Sequence, residues 1–327
     1  MTSTNNERDS LADKVRLILA PIRGVTDVVY REAFAGCFGG FDEAVAPFVP
    51  LKQGHSLRPV ELQQLAPDRN RCMPVCPQVL TNHPPTFSAV LRELRDVGHE
   101  EVNWNLGCPH PAVVGRGRGA GLLSEPNRID AILADVLKDA PVRLSVKLRL
   151  GYHDPDEFVA VMEVLNRYPL ARVILHARTA DQMYDGAVDM ERAAQVLALC
   201  RHPFVFNGDI THVAEFSERR RKLPGTASWM VGRGALGNPF LPALLKGAPP
   251  LSVAVRRGQL IKFHGLLFDG YGRMMSGARH QRDKMMEQWD YLSRSFADPG
   301  AVLARIRRSS YDQYESVVDW VFGQPLA

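Results

Sequence analysis

The residues able to do chemistry in this chain fall in a few short turns. In Asn105-Leu106-Gly107-Cys108-Pro109 a thiol sits in a tight turn beside a carboxamide. A cysteine is by default a small buried hydrophobe, but the turn position and the adjacent Asn105 point to a reactive role. From Leu144 to Arg149, apolar Leu144, Val146 and Leu148 alternate with Ser145, Lys147 and Arg149, the period of a strand. With the apolar set facing packed helices, Lys147 points into the interior. An unpaired ammonium is costly to bury there, so Lys147 reads as a ligand-binding group. His176 and Arg178 end another such run, and Gln78 lies near the end of a third.

Two glycine-rich turns extend the pattern. They are Asn207-Gly208-Asp209-Ile210 and Gly232-Arg233-Gly234-Ala235-Leu236-Gly237-Asn238. Glycines let backbone N–H groups approach an anion, and Arg233 can add charge-assisted bonds. Occurring together, they read as the seat of a phosphate-bearing cofactor, with His176 as a further contact. Arg116 and Arg118, in the loop beyond Cys108, either grip a polyanion or keep an exposed loop soluble. Arg219-Arg220-Arg221-Lys222 reads as a solvated helix face.

The elements that must position these residues are short apolar runs, each followed by a helical pattern. The runs end near residues 20, 46, 80, 105, 148, 176, 207 and 232. A strand, turn and helix together need roughly 30 residues, so eight such units over residues 15–238 predict a (β/α)8 TIM barrel. Active sites of such barrels lie at the C-terminal ends of the strands, where all these turns fall. Pro84 to Val97 reads as an amphipathic helix through Phe87, Val90, Leu91 and Leu94. Ser124 opens another, with Ile129, Ile132, Leu133 and Val136 on its apolar face. Asp154-Pro155-Asp156-Glu157 is a helix-start signal. Gly247-Ala248-Pro249-Pro250 reads as a linker, followed by two long helical stretches at about 252–296 and 299–321.

Composition limits the function classes. The 327 residues are 45% hydrophobic and 23% charged, with a net charge of +4, ordinary for a globular chain. That charge tolerates a nucleic-acid partner without demanding one. The tail beyond Pro250 carries eleven Lys and Arg against eight Asp and Glu, three of the four net charges. The five cysteines are scattered, which implies a reducing interior rather than a disulfide framework. Cys72 and Cys76 lack a second pair and read as residues flanking a strand, not a zinc site. The polar N-terminus has no signal-peptide core, and no apolar run reaches the ~20 residues of a membrane span. A cytoplasmic protein is expected.

Taken in order, Ala20-Pro21-Ile22-Arg23-Gly24-Val25-Thr26-Asp27, Asn105-Leu106-Gly107-Cys108-Pro109, Lys147-Leu148-Arg149-Leu150-Gly151, His176-Ala177-Arg178-Thr179, Asn207-Gly208-Asp209-Ile210 and Gly232-Arg233-Gly234-Ala235-Leu236-Gly237-Asn238-Pro239 resemble the motifs of the tRNA-dihydrouridine synthases. The resemblance covers the whole barrel, and the tail is similar to that family's C-terminal domain in length and helicity. It implies an FMN-binding catalytic barrel over 1–248 and a helical RNA-binding domain over 249–327. It further implies reduction of a uridine in tRNA to 5,6-dihydrouridine with NADPH as reductant. Ala20, Pro21, Ile22, Gln78, Lys147, His176, Asn207, Gly208, Asp209, Gly232 and Arg233 would hold FMN. Asn105 would help hold the uracil, with Arg178, Arg116 and Arg118 as further substrate contacts.

Cys108 would be the proton donor. Hydride reaches uracil C6 from reduced flavin, and C5 then needs a proton, which a thiol of ordinary pKa ~8.5 carries at neutral pH. The chain departs from the family at Ile22, where methionine is usual, and at Arg23, where an acidic or polar residue is common. It also has Pro111 and Ala112 where many members carry a lysine after the cysteine. Two other readings compete. One is an FMN barrel oxidoreductase acting on a free pyrimidine or other small molecule, against which the tail argues. The other is a non-catalytic RNA-binding barrel, against which intact Cys108, Lys147 and His176 argue.

Overall fold

The computed structural model describes residues 15–51, 54 and 56–327. The polar N-terminal segment 1–14, read above as lacking a signal-peptide core, lies outside the described residues.

Ten strand segments form one parallel sheet: β1 (Arg16–Leu19), β2 (Glu43–Val45), β3 (Val49–Pro50), β4 (Val75–Cys76), β5 (Gln78–Leu80), β6 (Glu101–Leu106), β7 (Arg143–Arg149), β8 (Val173–His176), β9 (Phe204–Asn207) and β10 (Ser228–Val231). Their order is β3-β5-β6-β7-β8-β9-β10-β1-β2-β4. The run expected as one strand from Val75 to Leu80 is interrupted at Pro77. Proline has no N–H to donate to a ladder, so β4 pairs with β2 while β5 pairs with β3 and β6. Because β4 and β5 are consecutive, the two ends of the sheet meet and the sheet curls into a closed TIM-like barrel. Merging β2 with β3 and β4 with β5 leaves the eight staves expected from the sequence.

Helices cover the outside: α1 (Val28–Cys37), α2 (Pro59–Leu65), α3 (Pro84–Asp96), α4 (Pro111–Val114), α5 (Pro126–Leu137), α6 (Phe158–Leu165), α7 (Met190–Leu199), α8 (Val213–Lys222), α9 (Arg233–Gly237) and α10 (Leu241–Leu245). Asp154 caps a 3₁₀ turn, Pro155–Glu157, that leads into α6. The strand alternation separates two interiors. Leu144, Val146 and Leu148 pack outward with Phe87, Val90, Leu91 and Leu133 of the helices. Ile18, Ala20, Val45, Cys76, Ile174, Val205 and Met230 fill the barrel itself. At the N-terminal end, Arg172 pairs with Glu43 and Glu101, and Arg16 with Glu43. Arg172, Glu43 and Glu101 are largely buried at the base, each partnered as burial requires, while Arg16 joins from the surface.

The tail forms four helices, not two long ones: α11 (Val253–Met274), α12 (Ala278–Leu292), α13 (Pro299–Arg308) and α14 (Tyr314–Gly323). The first stretch breaks at Gly277, whose φ of 97° lies outside the helical region and is open to glycine. The second breaks after Arg308, where Ser309 is extended and its hydroxyl donates to Ile306 O. The tail does not sit apart from the barrel. Tyr30 and Phe34 of α1 share one core with Leu260, Phe263, Leu267, Tyr271 and Trp289. Gly270 lets α11 approach closely, since a Cβ there would lie 2.5 Å from Val29 Cγ1. Lys284 donates to Gly24 O and sits 3.5 Å from Asp27, and Gln288 donates to Val25 O. The β1–α1 loop is thus held by tail side chains.

Candidate active site

Inside the barrel a chain of carboxamides climbs toward Cys108. Asn103 Nδ2 donates to Ser145 Oγ at 3.0 Å, Gln78 Nε2 to Asn103 Oδ1 at 2.7 Å, and Asn105 Nδ2 to Gln78 Oε1 at 2.8 Å. Asn105 Oδ1 accepts from the N–H groups of Gly107, at 3.1 Å, and Cys108, at 2.9 Å. The turn that presents Cys108 is therefore fixed by a side chain rooted in the barrel interior. Arg149 braces it from the other side, donating to Gly107 O at 3.0 Å and to Thr179 O and Met183 O of the loop after β8.

Burial pushes the Cys108 thiol above its ordinary range, against the opposing pull of the His110 backbone and of Arg149, Arg23 and Lys147. A half-buried thiol held in its protonated form can donate a proton and is a poor nucleophile. Lys147 is pushed down to about 7 by burial and by the charge of Arg149. His176 is held well below its usual value, first by burial and then by the charges of Arg149 and Lys147. Arg178 Nη1 lies 3.2 Å from His176 Nε2. A guanidinium can only donate, so Nε2 accepts and Nδ1 carries the imidazole hydrogen.

Ten of the eleven residues expected to hold a cofactor line one cleft of about 570 Å³: Ala20, Pro21, Ile22, Lys147, His176, Asn207, Gly208, Asp209, Gly232 and Arg233. Gln78 does not, being fully buried with its amide engaged by Asn103 and Asn105. The last two barrel loops meet at this cleft. A Cβ on Gly234 would lie 2.0 Å from Ile210 O, and one on Gly208, at φ 150°, would lie 2.7 Å from Val188 Cγ1. Only glycine permits that approach. Asp209 ties the loops together by pairing with Arg233 at 2.9 Å and with Arg178. Cations and close-packed backbone at one side, and Ala20, Pro21, Ile22 and Met230 elsewhere, suit a ligand carrying both a phosphate and a flat ring.

The expected substrate residues are placed differently from one another. Arg178 is 1% exposed. Its guanidinium is occupied by Asp209, Asp185 O, Gly186 O and His176, which makes it a brace for the cleft. Asn105, 7% exposed, is likewise committed to the Cys108 turn. Arg118 donates to Leu51 O and Asn82 Oδ1 and holds neighbouring loops together. Arg116 is exposed.

Further cleft residues escaped the sequence reading. Tyr184, 54% exposed, lies between the guanidinium groups of Arg149, at 5.3 Å, and Arg233, at 4.6 Å. Its neighbour Met183 holds a positive φ of 51°, uncommon for a side-chain-bearing residue. Asp290, Tyr291 and Arg294 reach the cleft from the tail. A lone aromatic in a polar loop was the only sequence signal for Tyr184, and the tail residues had none.

The chain as a whole is similar to known proteins. The family model described as dihydrouridine synthase (Dus) matches residues 18–285. The chain is 30% identical over 305 residues to the tRNA-dihydrouridine(16) synthase of Cupriavidus necator, covering 90% of this chain and 92% of that one. It is 29% identical to the enzyme of the same name from Ralstonia nicotianae, over 90% of this chain and 91% of that one. Among solved structures, the old yellow enzyme homologue from Zymomonas mobilis shares the fold, with a TM-score of 0.51 at 12% identity, covering 74% of this chain and 92% of that chain. With the family model matching residues 18–285 and a relative 30% identical over 90% of its length, the chain belongs to the dihydrouridine synthase family of enzymes.

Proposed function

We propose that this protein uses FMN and NADPH to reduce a uridine of tRNA, the one at position 16, to 5,6-dihydrouridine. The observation that carries the reading is the cleft itself, where residues from four barrel loops and from strand β7 surround a space with cations and close-packed glycine backbone beside apolar walls. Ala20, Pro21, Ile22, Lys147, His176, Asn207, Gly208, Asp209, Gly232 and Arg233 would hold FMN, with Gln78 acting through Asn105 from beneath. When bound, FMN supplies hydride chemistry. Relatives named tRNA-dihydrouridine(16) synthases in three organisms support position 16.

The chain's own residues have distinct tasks. Cys108 holds a proton on Sγ for the uracil ring, and burial keeps it there at neutral pH. Asn105 and Arg149 fix the turn that aims that thiol. Asp209 and Arg178 hold Arg233 and His176 at the cleft wall. A target base stacked in folded RNA must leave its stack to reach such a recess. Arg116, Arg273, Arg279, Arg305 and Arg308 are exposed cations available to RNA phosphates, which position a nucleic acid rather than specify it. The helical tail over 249–327 would thus orient the tRNA over a catalytic barrel over 1–248, in the cytoplasm.

The test is direct. Purified protein supplied with FMN, NADPH and an unmodified tRNA transcript should form dihydrouridine, while free uridine should remain unreduced. Reduction of the free nucleoside at a comparable rate would overturn the RNA reading, and failure to retain any flavin would overturn the cofactor.

A further inference from the structure

We infer that Arg294, delivered by the helical tail, is a binding residue for the phosphate of the cofactor. The inference rests on the flavin reading above and adds to it a contact from outside the barrel. Arg294 lies in the 3₁₀ turn Ser293–Ser295 that follows α12. Ser295 Oγ donates to Gly237 O at 3.1 Å, which pins that turn against α9. The Arg294 stem crosses α9 at Gly237, where an added Cβ would meet Arg294 Cδ at 3.1 Å. The side chain lines the same cleft as Thr211, Gly232, Arg233 and Gly234. Two independent contacts therefore fix the turn over the glycine loops that form one side of the cleft.

Charge pairing singles this residue out. Arg233 is paired with Asp209, which also pairs with buried Arg178. Asp290, the other carboxylate on the cleft, is paired with Arg307 at 2.7 Å. Arg294 enters no ion pair among the described residues, and its one assigned partner is the Tyr291 ring at 5.4 Å. A phosphate carries close to two negative charges at neutral pH, more than Lys147 and the partly compensated Arg233 offset between them. Arg294 supplies the missing cation, and it does so with a planar fork suited to phosphate oxygens. Retention of the cofactor then depends on the tail being docked, because the barrel alone lacks this guanidinium.

The experiment compares FMN with riboflavin, which has the same ring and no phosphate. Affinities are read by flavin fluorescence titration of the full chain and of Arg294→Met and Arg294→Lys. Loss of one charge-assisted contact should weaken FMN binding about tenfold in Arg294→Met. Riboflavin binding should not move, and Arg294→Lys should recover part of the loss. Thermal melts of the flavin-free variants check that they fold. Unchanged FMN affinity in Arg294→Met would overturn the inference, as would equal weakening of both flavins, which would make Arg294 a packing residue. A wild-type protein that takes up neither flavin would overturn the flavin reading and this inference with it. An FMN-over-riboflavin preference of undiminished size in Arg294→Met leaves the flavin reading standing and refutes the role of Arg294 alone.

Discussion

The depressed Lys147 makes cofactor binding a function of pH, and the sign follows from proton bookkeeping. In the ligand-free protein its ammonium titrates at about 7, against 10.5 for an ordinary lysine. The causes are burial first and Arg149 second. An anion laid against Lys147 favours its charged form and returns it toward the ordinary value. Between those two values the complex holds one more proton than the free protein, so binding takes up a proton. Affinity is therefore full below pH 7 and falls as pH rises, by up to tenfold per unit. At pH 7 half of the free protein carries the charge, and at pH 9 about one part in a hundred, so FMN should bind about fifty-fold more weakly at pH 9 than at pH 7. The phosphate, with a second pKa near 6, stays doubly charged across this window and does not contribute. Fluorescence titration at half-unit steps reads the slope, and calorimetry in two buffers of different ionisation enthalpy reads the proton. Lys147→Met should bind weakly with no slope. A flat wild-type profile, or a slope that survives in Lys147→Met, would refute the reasoning.

Other expectations follow from single contacts. Cys108→Ala should keep FMN and lose turnover; because burial raises the thiol, wild-type turnover limited by proton donation should fall only above the ordinary thiol range, and a decline centred near pH 7 would contradict this. Asn105→Ala leaves the Gly107 and Cys108 N–H groups and Gln78 Oε1 without their partner, which should destabilise the fold by about 2–4 kcal/mol in denaturant titrations. Gly234→Ala forces a Cβ to 2.0 Å from Ile210 O and should abolish flavin retention while leaving a folded chain by circular dichroism. Arg116→Glu, at an exposed site beside the Cys108 turn, should weaken tRNA binding in filter assays and make its loss with salt shallower, without changing the flavin spectrum.

Local pattern carried the barrel, because each stave is a short apolar run whose alternation is dictated by the pleat. Lys147 was legible for that reason: it shares a strand with Leu144, Val146 and Leu148, and the outward set fixes the inward one. The glycine turns were legible because a Cβ has no room there. Pro77 split a stave that hydrophobicity alone reads as continuous. Gln78 and Arg178 show the opposite limit. Their residue types suit ligand binding, but burial and partners decide whether a polar group faces a ligand or braces the wall behind it. Arg294 and Tyr291 reach the cleft only because α11 and α12 pack on α1, a contact between segments more than two hundred residues apart with no local signature.

The central claim is tested most directly by mapping dihydrouridine in tRNA from cells with and without this gene, restored with wild-type or Cys108→Ala protein. Loss of dihydrouridine at position 16 alone, regained with wild-type and not with Cys108→Ala, is the predicted result. An unchanged level at position 16 in cells lacking the gene would contradict it.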